Sequence, residues 1–146
     1  LQWVGQLDVA QNSRVNDIFN YTDSLRRDMY GKVMGQNIIS KETLIFNGLE
    51  RLGMRNSDYF GVIQPYQNHS SSPSTGINMY SFSLYPEKYQ PSGSANLNKI
   101  DDVLLKITTS YNIKKDSGAK IRIYGISYNI LRIGYGISGL VFDYNL

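Results

Sequence analysis

The sequence predicts an all-β fold. Twelve tyrosines and thirteen glycines against four methionines are typical of strands joined by many turns, because aromatic residues suit a pleated sheet and glycine suits turns. Apolar and polar residues alternate at 80–84, and apolar residues recur at every second position over 103–107, which is the period of a strand with one buried face. With 146 residues and 41% hydrophobic residues, the chain has the size and composition of one globular domain.

The chain centres on the stretch 77–105, which predicts a strand, a corner and a second strand. Proline cannot donate to a sheet ladder, so Pro86 and Pro91 belong to the corner and not to central pairing. Pro91 and Gly93 hold the second and fourth positions of Gln90–Gly93, as a type I turn prefers. We therefore expect a tight turn at Pro91-Ser92-Gly93 that orients the strand containing Val103 and Leu105.

Before this centre, the segment 10–40 gives the weakest pattern. Apolar residues from about 15 to 30 form a faint helical stripe, but turn-forming residues at 20–23 interrupt it. We expect a loop with one or two helical turns that ends at Gly31 and Gly35.

The segment 42–52 predicts a hairpin. Asn47-Gly48 lies between two apolar runs, and both residues tolerate the positive φ that a type I′ turn requires. The segment 54–67 is rich in apolar residues and contains Pro65, which favours a short helical turn or irregular coil packed on the sheet edge. A serine-rich loop is expected at 68–76.

The last third of the chain predicts more strands. Ser110–Lys120 has the composition of a polar hairpin loop with Asp116-Ser117-Gly118 as its turn. Ile121–Ile133 carries apolar residues in both registers, so we expect one long strand covered on both faces. Glycines at 134, 136 and 139 interrupt regularity, and a last short strand is expected at Leu140-Val141-Phe142.

Several blocks, in order along the chain, resemble the carboxyl-terminal part of the major capsid proteins of large eukaryotic DNA viruses. The strongest blocks lie in the central stretch: Tyr80-Ser81-Phe82, Tyr85-Pro86-Glu87, Gln90–Asn96 and Ile100-Asp101. Further blocks flank it: Leu44–Gly48, Glu50-Arg51, Tyr59-Phe60, Gln64–His69, Pro73–Ile77, Tyr128–Ile133 and Ser138-Gly139-Leu140. Ordered and spaced blocks from about 44 to 140 are more specific than any single motif.

The resemblance implies a jelly-roll β-sandwich. In that family two jelly rolls lie side by side in one chain, and three chains form a pseudo-hexagonal capsomer. The present chain then corresponds to the later part of the second barrel, a partial carboxyl-terminal domain over 1–146. Two further observations point to a fragment of a longer chain: apolar residues begin at Trp3, and about six strands are visible where a jelly roll needs eight.

The residues give little basis for catalysis or cofactor binding. There is no cysteine, and His69 is the only histidine, which leaves no thiolate chemistry and no multi-histidine metal site. Asp101 and Asp102 are adjacent, so in a strand they point to opposite faces and do not form a catalytic pair. We expect no enzyme, no cofactor and no metal.

The charge pattern does not indicate a nucleic-acid partner. The net charge of +3 is scattered, and the two basic pairs, Arg26-Arg27 and Lys114-Lys115, each adjoin an aspartate. No apolar run approaches the roughly 20 residues of a membrane span. Asn20-Tyr21-Thr22 and Asn68-His69-Ser70 match the glycosylation triplet, and we expect both to stay unmodified.

Two functional classes remain open from the residues. One is a structural virion protein, the capsomer-forming major capsid protein of an icosahedral large double-stranded DNA virus. The other is a carbohydrate-binding β-sandwich, whose aromatic platform would comprise Tyr59, Tyr66 and Tyr89. The ordered blocks favour the capsid interpretation.

That interpretation implies a homotrimer in the capsid shell of a virion assembled in the host cytoplasm. Its further partners are neighbouring capsomers and minor capsid proteins. We expect burial between jelly rolls or subunits for five aromatic residues: Tyr59, Phe60, Tyr66, Tyr124 and Tyr128. Pro91 and Gly93 are expected to have a structural role in the corner.

Overall fold

Two three-stranded antiparallel sheets share one apolar core, and a separate two-stranded hairpin follows them. The computed structural model describes residues 1–11, 16–110, 113 and 118–142. Within these residues the strands are β1 Gln2–Leu7, β2 Ile39–Phe46, β3 Leu49–Asn56, β4 Ile77–Met79, β5 Val103–Thr109, β6 Ala119–Tyr124, β7 Leu131–Gly134 and β8 Ile137–Leu140. The all-β prediction is confirmed, and the eight strands of the described residues exceed the count of about six made from the sequence.

The first sheet has the order β4-β1-β6 and the second has the order β3-β2-β5. In the first sheet Trp3 lies between Asn78 and Ile123. In the second sheet Leu44 lies between Leu52 and Leu105. The central strands β1 and β2 come from distant parts of the chain, so the core forms only when the two sheets meet.

The core between the sheets consists of aromatic and aliphatic side chains from both. Its buried members are Trp3, Ile39, Leu44, Phe60 and Tyr80. A second, smaller cluster comprises Leu7, Ala10 and Ile38. Each fully buried side chain of this size contributes about 1.5–3 kcal/mol to folding by leaving water.

The β2–β3 hairpin is confirmed. Asn47 and Gly48 have φ values of 48° and 76°, which are the two positive angles of a type I′ turn. Asparagine and glycine reach this region at the lowest cost, so the turn and its register follow from two adjacent residues.

The helical turn expected within 54–67 is also confirmed. A π-helical segment, Tyr59–Ile63, continues into the α-helix α1, Gln64–Asn68, which contains Pro65. Two 3-10 turns complete the helical content of the described residues, at Asp8–Gln11 and Leu97–Lys99.

The strand expected at 80–84 is wrong, because β4 ends at Met79. The Ser81 hydroxyl donates to the Ser83 carbonyl at 2.6 Å and accepts from the Ser83 N–H at 3.2 Å. These local bonds bend the chain and replace the ladder bonds that a strand would make. The strand expected at Val103–Ile107 is confirmed as part of β5.

The turn expected at Gln90–Gly93 is also displaced. The hydrogen-bonded turn lies at Pro86-Glu87, where the Lys88 N–H donates to the Tyr85 carbonyl at 3.2 Å. Residues 91–96 contain no turn. Gly93 nevertheless has a φ of 136°, a conformation that glycine adopts readily and other residues avoid.

The described residues 16–37 contain no helical turn, which corrects the expectation for 15–30; Val15 lies outside the described residues. Isolated bridges join Thr22 to Asn37 and Arg27 to Val33. Asp28 stabilises the turn enclosed by the second bridge, because its carboxylate accepts from the N–H groups of Tyr30 and Lys32 at 2.9 and 2.8 Å. Side-chain capping of this kind competes with a helix.

The single strand expected at Ile121–Ile133 is instead two strands, β6 and β7. Asn129 explains part of the interruption: its carbonyl oxygen accepts from the N–H groups of Ile130 and Phe142, and its amide donates to the Phe142 carbonyl. The last strand is β8 and not Leu140–Phe142. Tyr135-Gly136, with φ values of 52° and 78°, forms the turn between β7 and β8.

The hairpin expected around Ser110–Lys120 is wrong as well. β5 pairs with β2, whereas β6 pairs with β1, so this connection passes from one sheet to the other. The residues expected to form its turn, Asp116 and Ser117, lie outside the described residues.

Candidate interaction surface

The strands β6, β7 and β8 and the segment between them carry a set of exposed apolar side chains, which we call the carboxyl-terminal apolar surface. Its members are Ile121, Ile123, Tyr124, Ile126, Tyr128, Ile130, Leu131, Ile133, Ile137 and Leu140. Every residue of β7 and β8 is exposed, so the described part of the chain covers neither face of that hairpin. Isolated two-stranded hairpins are marginal in water, and contiguous exposed apolar surface usually marks a contact region.

Tyr124 and Tyr128 belong to this surface and are each about half exposed. Tyr124 lies at the end of β6, opposite Gln2 on β1. Both side chains are therefore available for a contact outside the described residues.

The aromatic residues at 59, 60 and 66 occupy three different environments. Phe60 is 0% exposed and packs against Trp3, with 5.3 Å between ring centroids, so it belongs to the internal core and not to an outer contact. Tyr59 is partly buried, and its hydroxyl accepts from the Gln64 side-chain amide at 3.0 Å. Tyr66 lies on α1 with 83% of its surface exposed.

The corner residues have local structural roles. Pro91 and Gly93 are both exposed, and Gly93 lies close to the preceding segment. A Cβ atom at Gly93 would stand 3.1 Å from the Phe82 carbonyl oxygen. Ser92 attaches the corner to the same segment, since its hydroxyl accepts from the Tyr85 N–H at 2.8 Å.

The aromatic platform expected of a carbohydrate-binding protein is not assembled in the described residues. Tyr59 lines an open groove of about 460 Å³ together with Gln64, Asn68 and Ser92. Neither Tyr66 nor Tyr89 lines this groove. Tyr59 and the three polar side chains already bond to one another or to the backbone.

The buried carboxyl of Glu42 was missed in the sequence. Glu42 is 0% exposed on β2, and its Oε2 accepts a hydrogen bond from the Trp3 indole N–H of the opposite sheet. Burial raises the pKa of Glu42 to about 7, although the Trp3 bond acts in the other direction. The sequence did contain an indication of this burial. Glu42, Leu44 and Phe46 are each two positions apart, which places all three on one face of the strand.

His69 is a loop residue that contacts a carboxylate. Its Nδ1 lies 3.2 Å from Glu87 Oε1, and the Ser70 N–H donates to both oxygens of Glu87 at 3.1 Å. The Ser70 backbone bond is the main cause that holds the pKa of Glu87 below its usual value. These contacts join the serine-rich loop to the corner at 85–91.

Neither glycosylation triplet presents a free amide. Asn20 is buried, and its side-chain amide donates to Asp17 and to the Ser24 carbonyl, each at 2.9 Å. The Asn68 amide donates to the Gln64 carbonyl at 3.1 Å. Attachment of a glycan would replace one amide hydrogen and so remove one of the two bonds that each amide donates.

No group of three or more acidic or histidine side chains among the described residues is placed to hold a metal ion. Within the same residues, no helix has the length and apolar character needed to cross a bilayer.

The model of the large eukaryotic DNA virus major capsid protein family matches residues 1–139. Probable capsid protein 4 of Acanthamoeba polyphaga mimivirus is 41% identical over 142 residues, which are 97% of this chain and 28% of that protein. The major capsid protein of Chrysochromulina ericina virus is 43% identical over 110 residues, which are 75% of this chain and 19% of that protein. The chain thus spans less than a third of these relatives.

Solved structures agree on the fold. The VP54 structure of PBCV-1 fitted into a reconstruction of the virophage Sputnik covers 97% of this chain with a TM-score of 0.64 and 21% identity; this chain covers 42% of it. A quasi-atomic model of the PBCV-1 capsid gives a TM-score of 0.65 over 97% of this chain and 43% of that one. The fold is therefore that of the jelly-roll capsid proteins, and the chain belongs to the large eukaryotic DNA virus major capsid protein family.

Proposed function

We propose that this chain is a shell-building part of a structural virion protein, the capsomer-forming major capsid protein of an icosahedral large double-stranded DNA virus. The observation that carries the proposal is the carboxyl-terminal apolar surface, on a chain whose relatives are named as capsid proteins. Burying that surface against another jelly roll or subunit would stabilise an assembly by about 25 cal/mol for each Å² removed from water.

The chain would be the later part of the second barrel of a double jelly roll. Two features support this position. The two sheets have three strands each, whereas a complete jelly roll has four in each. The relatives are more than three times as long as the matched region, which leaves room for a first barrel.

The working unit would be a homotrimer. Three copies related by a three-fold axis repeat one heterologous contact until the ring closes, which covers an apolar surface on every copy. Neighbouring capsomers and minor capsid proteins would be the further partners, in a shell assembled in the host cytoplasm. The protein would act through shape and contact, with no catalysis, cofactor or direct contact with nucleic acid.

The test uses the full-length protein and a pair of substitutions in the proposed contact. Light scattering at micromolar concentration should give the mass of three chains. Tyr124→Glu with Tyr128→Glu should shift the mass towards one chain, because two charges cannot be buried unpaired at low cost. Tyr30→Glu is the matched control, since Tyr30 is 86% exposed on a turn remote in sequence from that surface.

Two results would overturn the proposal. The first is a wild-type protein that stays monomeric at micromolar concentration. The second is a purified protein with measurable turnover of sugars or esters. If the wild type has the mass of a trimer and the Tyr124 and Tyr128 variant has it too, the trimer stands and the proposed contact is wrong.

A further inference from the structure

The interior of the sandwich contains the carboxyl of Glu42, which forms no ion pair with any described residue. Glu42 lies on β2, the central strand of its sheet, and no part of its side chain is exposed. Its Oε2 accepts from the indole N–H of Trp3 on β1, which is the central strand of the other sheet. This hydrogen bond therefore joins the two sheets at their centres.

A second polar side chain lies near this contact. Asn78 is 0% exposed and pairs directly with Trp3 across β1 and β4, so both side chains point to the same face of their sheet. Its carbonyl oxygen accepts from the Asn37 amide at 2.8 Å. Its own amide nitrogen, and Oε1 of Glu42, find no hydrogen-bond partner among the described residues. The polar centre is thus only partly satisfied, which makes a charge there more costly.

The charged residues of the surrounding strands do not neutralise Glu42. Arg55 lies opposite it on β3, but its guanidinium stands over the Tyr59 ring, 5.7 Å from the centroid. Lys41 on β2 and Lys106 on β5 are exposed. The strands β1 and β4 contribute no charged residue, and none of the ion pairs between described residues includes Glu42.

The other titratable groups on residues in contact with this core are the phenols of Tyr59 and Tyr80 and the amino group of Leu1. The Leu1 amino group donates to the Tyr80 carbonyl at 2.8 Å and forms no ion pair with Glu42. Burial raises the pKa of Glu42 to about 7 from 4.5, which agrees with a carboxyl that has lost its water and gained no cation. The proton is therefore held in the folded state at acidities where an exposed glutamate would have released it.

We propose that Glu42 is a pH-sensitive lock between the two sheets: the neutral carboxyl accepts from Trp3 and closes the sandwich, and loss of its proton places an unpaired charge in the core and loosens it. The lock is a property of the sandwich itself. Its consequence for a shell, which would be tighter in mildly acidic than in alkaline surroundings, rests on the function proposed above.

The test measures protonation directly in the full-length protein. Infrared difference spectra between wild type and Glu42→Gln should show the carbonyl stretch of a protonated carboxyl at pH 6, and this band should disappear by pH 8.5. Glu50→Gln is the matched control, because Glu50 lies exposed on the neighbouring strand β3 and should contribute no such band. Absence of the band from the wild type at pH 6 would overturn the lock.

A second measurement tests the consequence for folding. The melting temperature of wild type should fall between pH 5 and pH 8, and that of Glu42→Gln should change less over the same range. The amide of glutamine can accept from Trp3 but does not ionise. Equal pH dependence of wild type and the variant would contradict the lock. If the variant fails to fold, the difference between the wild-type infrared spectra at pH 6 and pH 8.5 replaces it. That difference should contain the protonated-carboxyl band, and its absence would contradict the lock. A trimer is not needed for either readout, so failure here is distinct from failure of the capsid function.

Discussion

Asn47 and Asp102 hydrogen-bond to each other in both directions. The Asn47 N–H donates to the Asp102 carbonyl at 2.9 Å, and the Asp102 N–H donates to the Asn47 side-chain oxygen at 3.0 Å. This pair attaches the type I′ turn between β2 and β3 to the residue before β5. One side chain therefore serves both the turn and the alignment of three strands.

Asn47→Gly should separate these two roles. Glycine keeps the positive φ but removes the acceptor for the Asp102 N–H, so we expect a loss of about 1 kcal/mol in the free energy of unfolding. Asn47→Ala should cost about 1 kcal/mol more, because alanine also disfavours the left-handed conformation. Urea unfolding of both variants is the measurement. Equal stability of Asn47→Gly and wild type would show that the bond to Asp102 contributes nothing.

Gly76 and Gly31 form a natural pair for testing close packing. Both have positive φ, 95° and 79°. A Cβ at Gly76 would lie 2.0 Å from the Tyr21 carbonyl oxygen, whereas nothing lies within 4 Å of one at Gly31. Gly31→Ala should cost only the conformational strain, about 1 kcal/mol.

Gly76→Ala should lower the free energy of unfolding by at least about 3 kcal/mol, because the backbone at Tyr21 must move as well. The comparison is made by thermal unfolding of the two variants side by side. Similar melting temperatures for both would mean that the chain near Tyr21 is not held against Gly76.

Gly93→Val should destabilise the corner by about 1–3 kcal/mol. The φ of 136° is unfavourable for a β-branched residue, and the new Cβ would meet the Phe82 carbonyl oxygen at 3.1 Å. Gly53→Val on β3 is the matched control, because a Cβ there has only Glu50 Oε2 in reach, at 3.7 Å. Denaturant midpoints that fall equally for both variants would remove the special role of Gly93.

The sequence predicted features that depend on a few adjacent residues. Asn47-Gly48 specified its hairpin because both residues carry the required backbone preference. The alternation at 103–107 gave β5 for the same local reason. Ser81 and Asn129 show where this reasoning ends. Their side chains bond to nearby backbone and interrupt strands that alternation alone predicts.

Burial of particular residues could not be read from local patterns in the same way. Phe60 resembled an outer contact residue, yet it fills the core against Trp3, which is 57 positions away in the chain. Glu42 becomes a buried acid only because β1 closes over β2. Both outcomes depend on which strands meet, and that is a property of the whole fold.

Trp3→Phe should enlarge the pH dependence of stability. The folded-state pKa of Glu42, about 7, is raised above 4.5, so its contribution is fully present below about pH 4.5 and is lost as pH rises through about 7. That loss is on the order of 3 kcal/mol, since each unit of pKa corresponds to about 1.4 kcal/mol. The indole N–H opposes the rise in pKa, so its removal should raise the pKa further and extend the loss to higher pH.

Phe60→Leu is the matched control for this last prediction. It also leaves space in the core beside Trp3, but the hydrogen bond to Glu42 remains. Both variants should be less stable than wild type at pH 5, because each loses buried aromatic surface. Only Trp3→Phe should lose additional stability between pH 7 and pH 9, measured by urea unfolding at each pH. Parallel pH profiles for the two variants would mean that the indole N–H does not control the proton of Glu42.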